Sequence, residues 1–207
     1  MFSFPSKVYP ITDVRISGLS HAEQVSRMIE GGATLIQLRE KHLSPREFFR
    51  DAQKALMVAR SHRVQIIIND RVDIALALRA DGVHLGQSDL TPEAARGLLG
   101  DIAVIGFSVH SVEQAEAALA LPIDYLGIGP VFWTSTKENA DPVISVDGLR
   151  RTREVAGEIP LVAIGGITLD NASKVLEAGA DAVAVVSALL ENSSEIKSRT
   201  EDFIRIR

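Results

Sequence analysis

The sequence predicts a single-domain (β/α)₈ (TIM) barrel over residues 1–207. Short apolar runs alternate with amphipathic stretches eight times, and no linker or low-complexity segment interrupts them. The phrases "EGGATLIQLR", "RADGVHLG" and "EAGADAVAV" share a Gly/Ala-Asp style of turn into a strand, a hint of internal repetition. A doubly wound open sheet is the alternative arrangement of the same elements. Eight well-spaced units favour the barrel.

The strands are expected at 7–13, 34–41, 64–70, 82–87, 103–109, 125–132, 160–167 and 182–189, each a short apolar run. Between them the helices carry their own punctuation. Ser20 is a candidate N-cap for a helix with Ala22, Val25, Met28 and Ile29 on one face, which stops at Gly31-Gly32. Ser44-Pro45 and Thr91-Pro92 are caps followed by proline at the first helical position. The stretch "TLDNASKVLEAGA" ends a helix at Gly179.

Composition narrows the function classes. Net charge is −5 and the pI about 5.6, so a broad nucleic-acid footprint is not expected. There is no cysteine, which removes disulfides, thiolate metal sites and cysteine nucleophiles. The N-terminus lacks a signal-peptide pattern and no apolar run approaches a membrane span, so a cytoplasmic location is expected.

In such barrels the chemistry sits where the strands end. The second strand ends Gln37-Leu38-Arg39-Glu40-Lys41, and alternation points Gln37, Arg39 and Lys41 into the barrel mouth. Two cations there call for an anion, either a phosphorylated substrate or an internal carboxylate, Asp70 or Asp89. The third strand ends Asn69-Asp70, and Asp89 follows the fourth. Neighbouring strands lie about 4.8 Å apart, so the two carboxylates can share a Mg²⁺ ion. Taken alone, Asp70 reads as a helix N-cap. His84 alternates with Val83 and Leu85 and is a candidate substrate contact, while the fifth strand carries Ser108, a hydrogen-bond donor for the mouth, and His110; no third orienting group supports these two as a Ser-His nucleophile pair. The longest loop, after the sixth strand, gathers Thr134, Ser135, Thr136 and Lys137 as a phosphate grip. Gly165, Gly166 and Ser187 suit a second phosphate. Two anion sites in one mouth fit a reaction joining a diphosphate ester to a phosphate-bearing nucleophile.

The motifs "YPITD", "QLREK", "IIINDRVDIALALRADGVHLGQSD", "GFSVHS", "GIGPVFWTSTK", "AIGGI" and "AVVSA" together resemble thiamine phosphate synthase, in order and over nearly the whole chain. The resemblance implies a transferase on a (β/α)₈ barrel. It joins 4-amino-2-methyl-5-hydroxymethylpyrimidine diphosphate to 4-methyl-5-hydroxyethylthiazole phosphate, or the thiazole's carboxylated form, with Mg²⁺. It further implies Asp70 and Asp89 as Mg²⁺ ligands, and Arg39, Lys41, Asn69 and Lys137 on the diphosphate. Gln37, His84 and Ser108 would line the pyrimidine site; Thr134, Thr136, Gly166, Val186 and Ser187 would hold the thiazole phosphate. Arg39, Lys41, Lys137 and Ser108 are the expected catalytic groups, and diphosphate leaves before the thiazole attacks. Trp133 stands where the family commonly has proline, and Ser145 where glycine is usual. A thiazole tautomerase-like isomerase, with His110 as its acid-base residue, and a non-catalytic thiazole-phosphate sensor are the competing readings. The expected partners are small-molecule substrates, with no nucleic acid and no membrane; homo-oligomerisation is left open.

Overall fold

A computed structural model describes residues 2–134, 136 and 141–206. Eight parallel strands, β1 (Val8–Thr12), β2 (Leu35–Leu38), β3 (Gln65–Asn69), β4 (Gly82–Leu85), β5 (Val104–Val109), β6 (Tyr125–Ile128), β7 (Leu161–Ala163) and β8 (Ala182–Val185), run in sequence order. β8 pairs with β1 through Val8 and Val183, Tyr9 and Ala184, and Pro10 and Val185, so the sheet closes and the open-sheet alternative is excluded. Around it lie α1 (Val14–Ser17), α2 (His21–Glu30), α3 (Pro45–Ser61), α4 (Val72–Leu78), α5 (Pro92–Leu99), α6 (Val112–Ala118), α7 (Ser145–Ala156), α8 (Leu169–Glu177), α9 (Ser187–Leu190) and α10 (Ile196–Ile204).

The helix starts follow their caps. The Ser20 and Ser44 side chains accept from the N–H groups of Glu23 and Glu47, which bond back in capping boxes, and Thr91 caps α5. Strand ends are shorter than the apolar runs. The segment 34–41 is strand only to Leu38, and 160–167 only to Ala163, because their last residues leave the ladder to build the mouth. Arg39 and Lys41 therefore reach the mouth from a loop, not from strand alternation.

The sheet's two faces divide the core. Ile36, Leu38, Ile66, Ile68, Val83 and Leu85 are buried against the helix layer. Their alternating neighbours fill the barrel, Tyr9 and Tyr125 among them. Gly106 and Gly127 give these rings room: a Cβ on Gly106 would stand 2.1 Å from Tyr125 Cζ, and one on Gly127 2.9 Å from His84 Cε1. Phe2 and Phe4 pack on Tyr125 with ring centroids 5.5 and 5.1 Å away, closing the barrel's N-terminal end.

The repeated turn has a physical content. Asp81, Asp124 and Asp181 each accept from the first N–H groups of the preceding strand, at Ile66 (2.7 Å), Ile105 (2.8 Å) and Leu161 (2.7 Å). Their own N–H groups donate back to the carbonyls of the same three residues. Arg96 and Arg153 bind Asp124 and Asp181 at 2.7 Å while donating to loop carbonyls, and Arg60 donates to the carbonyls of Leu78 and Arg79. Thr34 stands where "EGGATLIQLR" lacks the aspartate, and its carbonyl accepts from the Gln65 N–H of the following strand.

Candidate active site

The C-terminal mouth opens on a cavity of about 470 Å³. Every predicted site residue that the structure describes lines it. Ser135 and Lys137 lie outside the described residues.

On the β2 side, Gln37 points inward and donates from Nε2 to the Tyr9 hydroxyl at 3.2 Å. The two cations already have carboxylate partners. Lys41 Nζ is bonded to Asp70, the internal pairing the sequence left as the alternative to a ligand. Arg39 is bonded to Asp13, which sequence reasoning did not single out. Asp13 is anchored in turn: Oδ1 accepts from Arg15 N–H and Ile16 N–H at 3.0 and 3.3 Å as the cap of α1. Behind the same loop, His21 joins Thr12 (2.7 Å) and Glu40 (3.3 Å). Burial alone would raise the Glu40 carboxyl, but hydrogen bonds from His21 and the His42 and Leu43 N–H groups outweigh it and hold it at about 2. The segment carrying Arg39 and Lys41 is thus fixed from below.

Asp70 is not the cap of α4. Arg71 takes that position without a side-chain bond, and Asp70 sits in left-handed backbone at φ 62°. Non-glycine residues rarely adopt this conformation, at a cost of about 1–2 kcal/mol, and Asp and Asn tolerate it best. The kink turns the Asp70 carboxylate to that of Asp89, whose Oδ2 is held by the Gly86 N–H at 2.7 Å. Burial pushes the Asp70 carboxyl up; Lys41 opposes this and the neighbouring Asp89 adds to it. Two crowded carboxylates offering only oxygen fit a hard divalent cation that takes one or two carboxylates and completes its shell with water or phosphate. Among the described residues no three His, Asp or Glu side chains are grouped to hold a metal. Two carboxylates leave the rest of such a cation's shell to water and phosphate oxygens.

The floor of the cavity is a continuous chain of polar contacts. Ser108 Oγ lies 2.8 Å from His84 Nε2, His84 Nδ1 lies 2.9 Å from the Tyr125 hydroxyl, and that hydroxyl lies 3.1 Å from Tyr9. His84 is therefore both a satisfied core histidine and a pocket wall. Burial drives its pKa down to about 4, against a weaker pull from Asp89, so the ring is neutral. Behind His84 stands Tyr125, a hydroxyl. Its own pKa is raised by burial, so it supplies no negative charge to stabilise an imidazolium, and the geometry does not make Ser108 a nucleophile. His110 also lines the cavity, with Nδ1–H donating to the Gly129 carbonyl at 2.7 Å and Nε2 3.5 Å from Asp141.

On the opposite wall stand Gly165 and Gly166 at φ 100° and 63°, with Val186 and Ser187 beyond them. Packing requires both glycines whatever binds there. A Cβ on Gly165 would stand 2.5 Å from Pro130 Cβ, and one on Gly166 2.6 Å from the Trp133 carbonyl. Glycine at these positions is thus no independent sign of an anion. Thr134 and Thr136 share a 3.2 Å hydroxyl contact on the cavity rim, and Trp133 beside them is 79% exposed. Ser145, at the start of α7, has φ 62°, which explains why glycine suits that position.

The thiamine monophosphate synthase family model matches residues 8–189. The chain belongs to the thiamine monophosphate synthase family. It is 49% identical over 187 residues to a thiamine-phosphate synthase of Clostridium novyi, covering 90% of this chain and 91% of that one. It is 46% identical over 185 residues to that of Chloroflexus aurantiacus, covering 89% and 85%. Among solved structures, a thiamine phosphate pyrophosphorylase from Pyrococcus furiosus superposes with a TM-score of 0.86 at 40% identity, over 97% of this chain and 94% of that one. Within this family member, sequence reasoning missed Asp13, Tyr9, Tyr125 and Gln87, whose Nε2 donates to the Ser108 carbonyl at 2.6 Å. The available signal was strand alternation, which places Tyr9 and Tyr125 inside the barrel.

Proposed function

We propose that the chain is a thiamine phosphate synthase, a transferase that joins the pyrimidine diphosphate to the thiazole phosphate and releases diphosphate. The single observation that carries this reading is the paired Asp70 and Asp89 carboxylates beside Lys41 and Arg39 in one mouth, in a chain of this family. Asp70 and Asp89 would hold Mg²⁺, which when bound neutralises charge on the departing diphosphate.

The chain's own residues supply the rest. Lys41, Arg39, Asn69 and Lys137 bind diphosphate oxygens. Lys41, paired with Asp70 in the ligand-free chain, is close enough to the mouth to turn its ammonium to a diphosphate oxygen. Gln37, His84 and Ser108 hold the pyrimidine ring flat against the barrel floor. The C–O bond breaks with its electron pair leaving on diphosphate, and the ring amine stabilises the methylene cation. Thr134, Thr136, Gly166, Val186 and Ser187 hold the thiazole phosphate so that the ring nitrogen lone pair forms the new C–N bond. Positioning and charge neutralisation carry the rate, and no protein nucleophile is used.

Among the described residues no helix is long and apolar enough to cross a membrane, and we place the enzyme in the cytoplasm with its small-molecule substrates. The test is a coupling assay with both substrates, with and without Mg²⁺. Metal-dependent formation of thiamine phosphate is expected. Absence of product, or turnover unaffected by chelation, defeats the reading.

A further inference from the structure

Five side chains cross the barrel core in one unbroken line: Gln37, Tyr9, Tyr125, His84 and Ser108. Tyr9 and Tyr125 are buried to 1% and 0% exposure, and Phe2 and Phe4 pack over them from the closed end. Both ends of the line, Gln37 and Ser108, line the cavity.

Each hydroxyl has one proton and sits between two partners, and a neutral imidazole has one N–H. The protons must therefore all run one way. The structure has the Gln37 amide nitrogen against Tyr9. Tyr9 then donates to Tyr125, Tyr125 donates to His84 Nδ1, and His84 Nε2–H donates to Ser108 Oγ. At the two ends this leaves the Gln37 carbonyl as an acceptor and the Ser108 hydroxyl proton as a donor. A reversal at one end reverses the other.

We propose that Tyr9 and Tyr125 are positioning residues that lock Gln37 and Ser108 into one matched pattern, acceptor at one wall and donor at the other. In the synthase reading that pattern meets the aminopyrimidine already placed against Gln37 and Ser108, and the two tyrosines fix which wall accepts and which donates. The amine donates to Gln37 and a ring nitrogen accepts from Ser108. The assignment rests on the synthase reading for its substrate, but the relay itself does not need one. Buried chains of this kind are cooperative, so the walls act together and not as separate contacts.

The decisive measurement is ¹⁵N NMR of the His84 ring in the ligand-free full chain. The wild type is expected to carry its proton on Nε2. Gln37→Glu replaces the amide donor by an obligate acceptor and is expected to move the proton to Nδ1, although two tyrosine hydroxyls stand between Gln37 and His84 in the line. Adding Tyr125→Phe is expected to abolish that response. An unchanged tautomer in Gln37→Glu overturns the proposal.

If Gln37→Glu does not fold, Tyr125→Phe decides the matter by steady-state kinetics. Its KM for the pyrimidine diphosphate is expected to rise about 3–10-fold, the size of one lost hydrogen bond. Its KM for the thiazole phosphate is expected to stay within about twofold. Equal changes in both, or none, overturn the proposal. A wild type that couples no substrates would defeat the synthase reading, while the tautomer measurement would still decide the relay.

Discussion

Lys41 Nζ is bonded to the Asp70 carboxylate, and Asp70 meets it from left-handed backbone at φ 62°. The ammonium occupies the field that a divalent cation would take over. Asp70→Asn and Asp89→Asn are therefore expected to lower Mg²⁺-dependent turnover by about 10²–10³-fold, the loss of several kcal/mol of leaving-group stabilisation. Asparagine tolerates the left-handed position, so circular dichroism and Tm should change little. Turnover at limiting Mg²⁺ that matches wild type removes the two carboxylates from the metal site.

Ser145 also holds a left-handed conformation, at φ 62°, and its hydroxyl accepts a long 3.4 Å contact from the Gly148 N–H. Ser145→Gly should relieve about 1 kcal/mol of backbone strain. For a chain of this size that corresponds to a rise in Tm of about 2–4 °C, read by calorimetry. A lower Tm means that the Gly148 contact outweighs the strain.

His84 gives the fold a pH dependence of definite sign. Its folded pKa of about 4 lies below the ordinary histidine value, so the unfolded chain binds the extra proton first. The stability this neutral ring represents is present above about pH 6.5 and is lost as pH falls toward 4, up to about 3 kcal/mol in all. Denaturant midpoints measured across that window should fall more steeply in wild type than in His84→Asn. Parallel slopes would mean that the ring charges freely in the folded state.

Gly106 faces the Tyr125 hydroxyl, with 2.4 Å between that oxygen and a Cβ placed on the glycine. Gly106→Ala must displace Tyr125 or His84, and a cost of about 1–3 kcal/mol is expected from overpacking. Urea unfolding measures it. A neutral substitution would show that the core can shift without loss.

Trp133 is the only tryptophan, is 79% exposed, and directly precedes Thr134. It is not packed on the barrel rim, so loop closure over a bound phosphate should move its emission to shorter wavelength. Titration with thiazole phosphate in the presence of Mg²⁺ and diphosphate tests this. A silent indole alongside binding seen by calorimetry points to a preformed site.

The barrel was legible in the sequence because each strand and most helix starts carry a local signal, such as Ser44-Pro45 or the run Ile66-Ile67-Ile68. Asp70 and Asp89 were legible as a pair because both follow strands that neighbour one another. Alternation failed past Leu38, where the chain leaves the ladder, so the reason given for Arg39 and Lys41 was wrong although both line the cavity. Asp13 and Tyr125 escaped notice because their partners, Arg39 and His84, are 26 and 41 residues away. Contacts of that span leave no periodicity to read.

The aspartates at 81, 124 and 181 fasten alternate seams of the barrel at the end remote from the cavity. Each fastening closes on its own strand pair, two of them braced by Arg96 and Arg153 from the helix layer, and borrows nothing from the mouth. Loops at the mouth can therefore lengthen, shorten or exchange residues without loosening the ring. Such a ring is an assembly of interchangeable staves hooped at one rim: lineages can trial new chemistry at the open rim while inheriting the hoop unchanged.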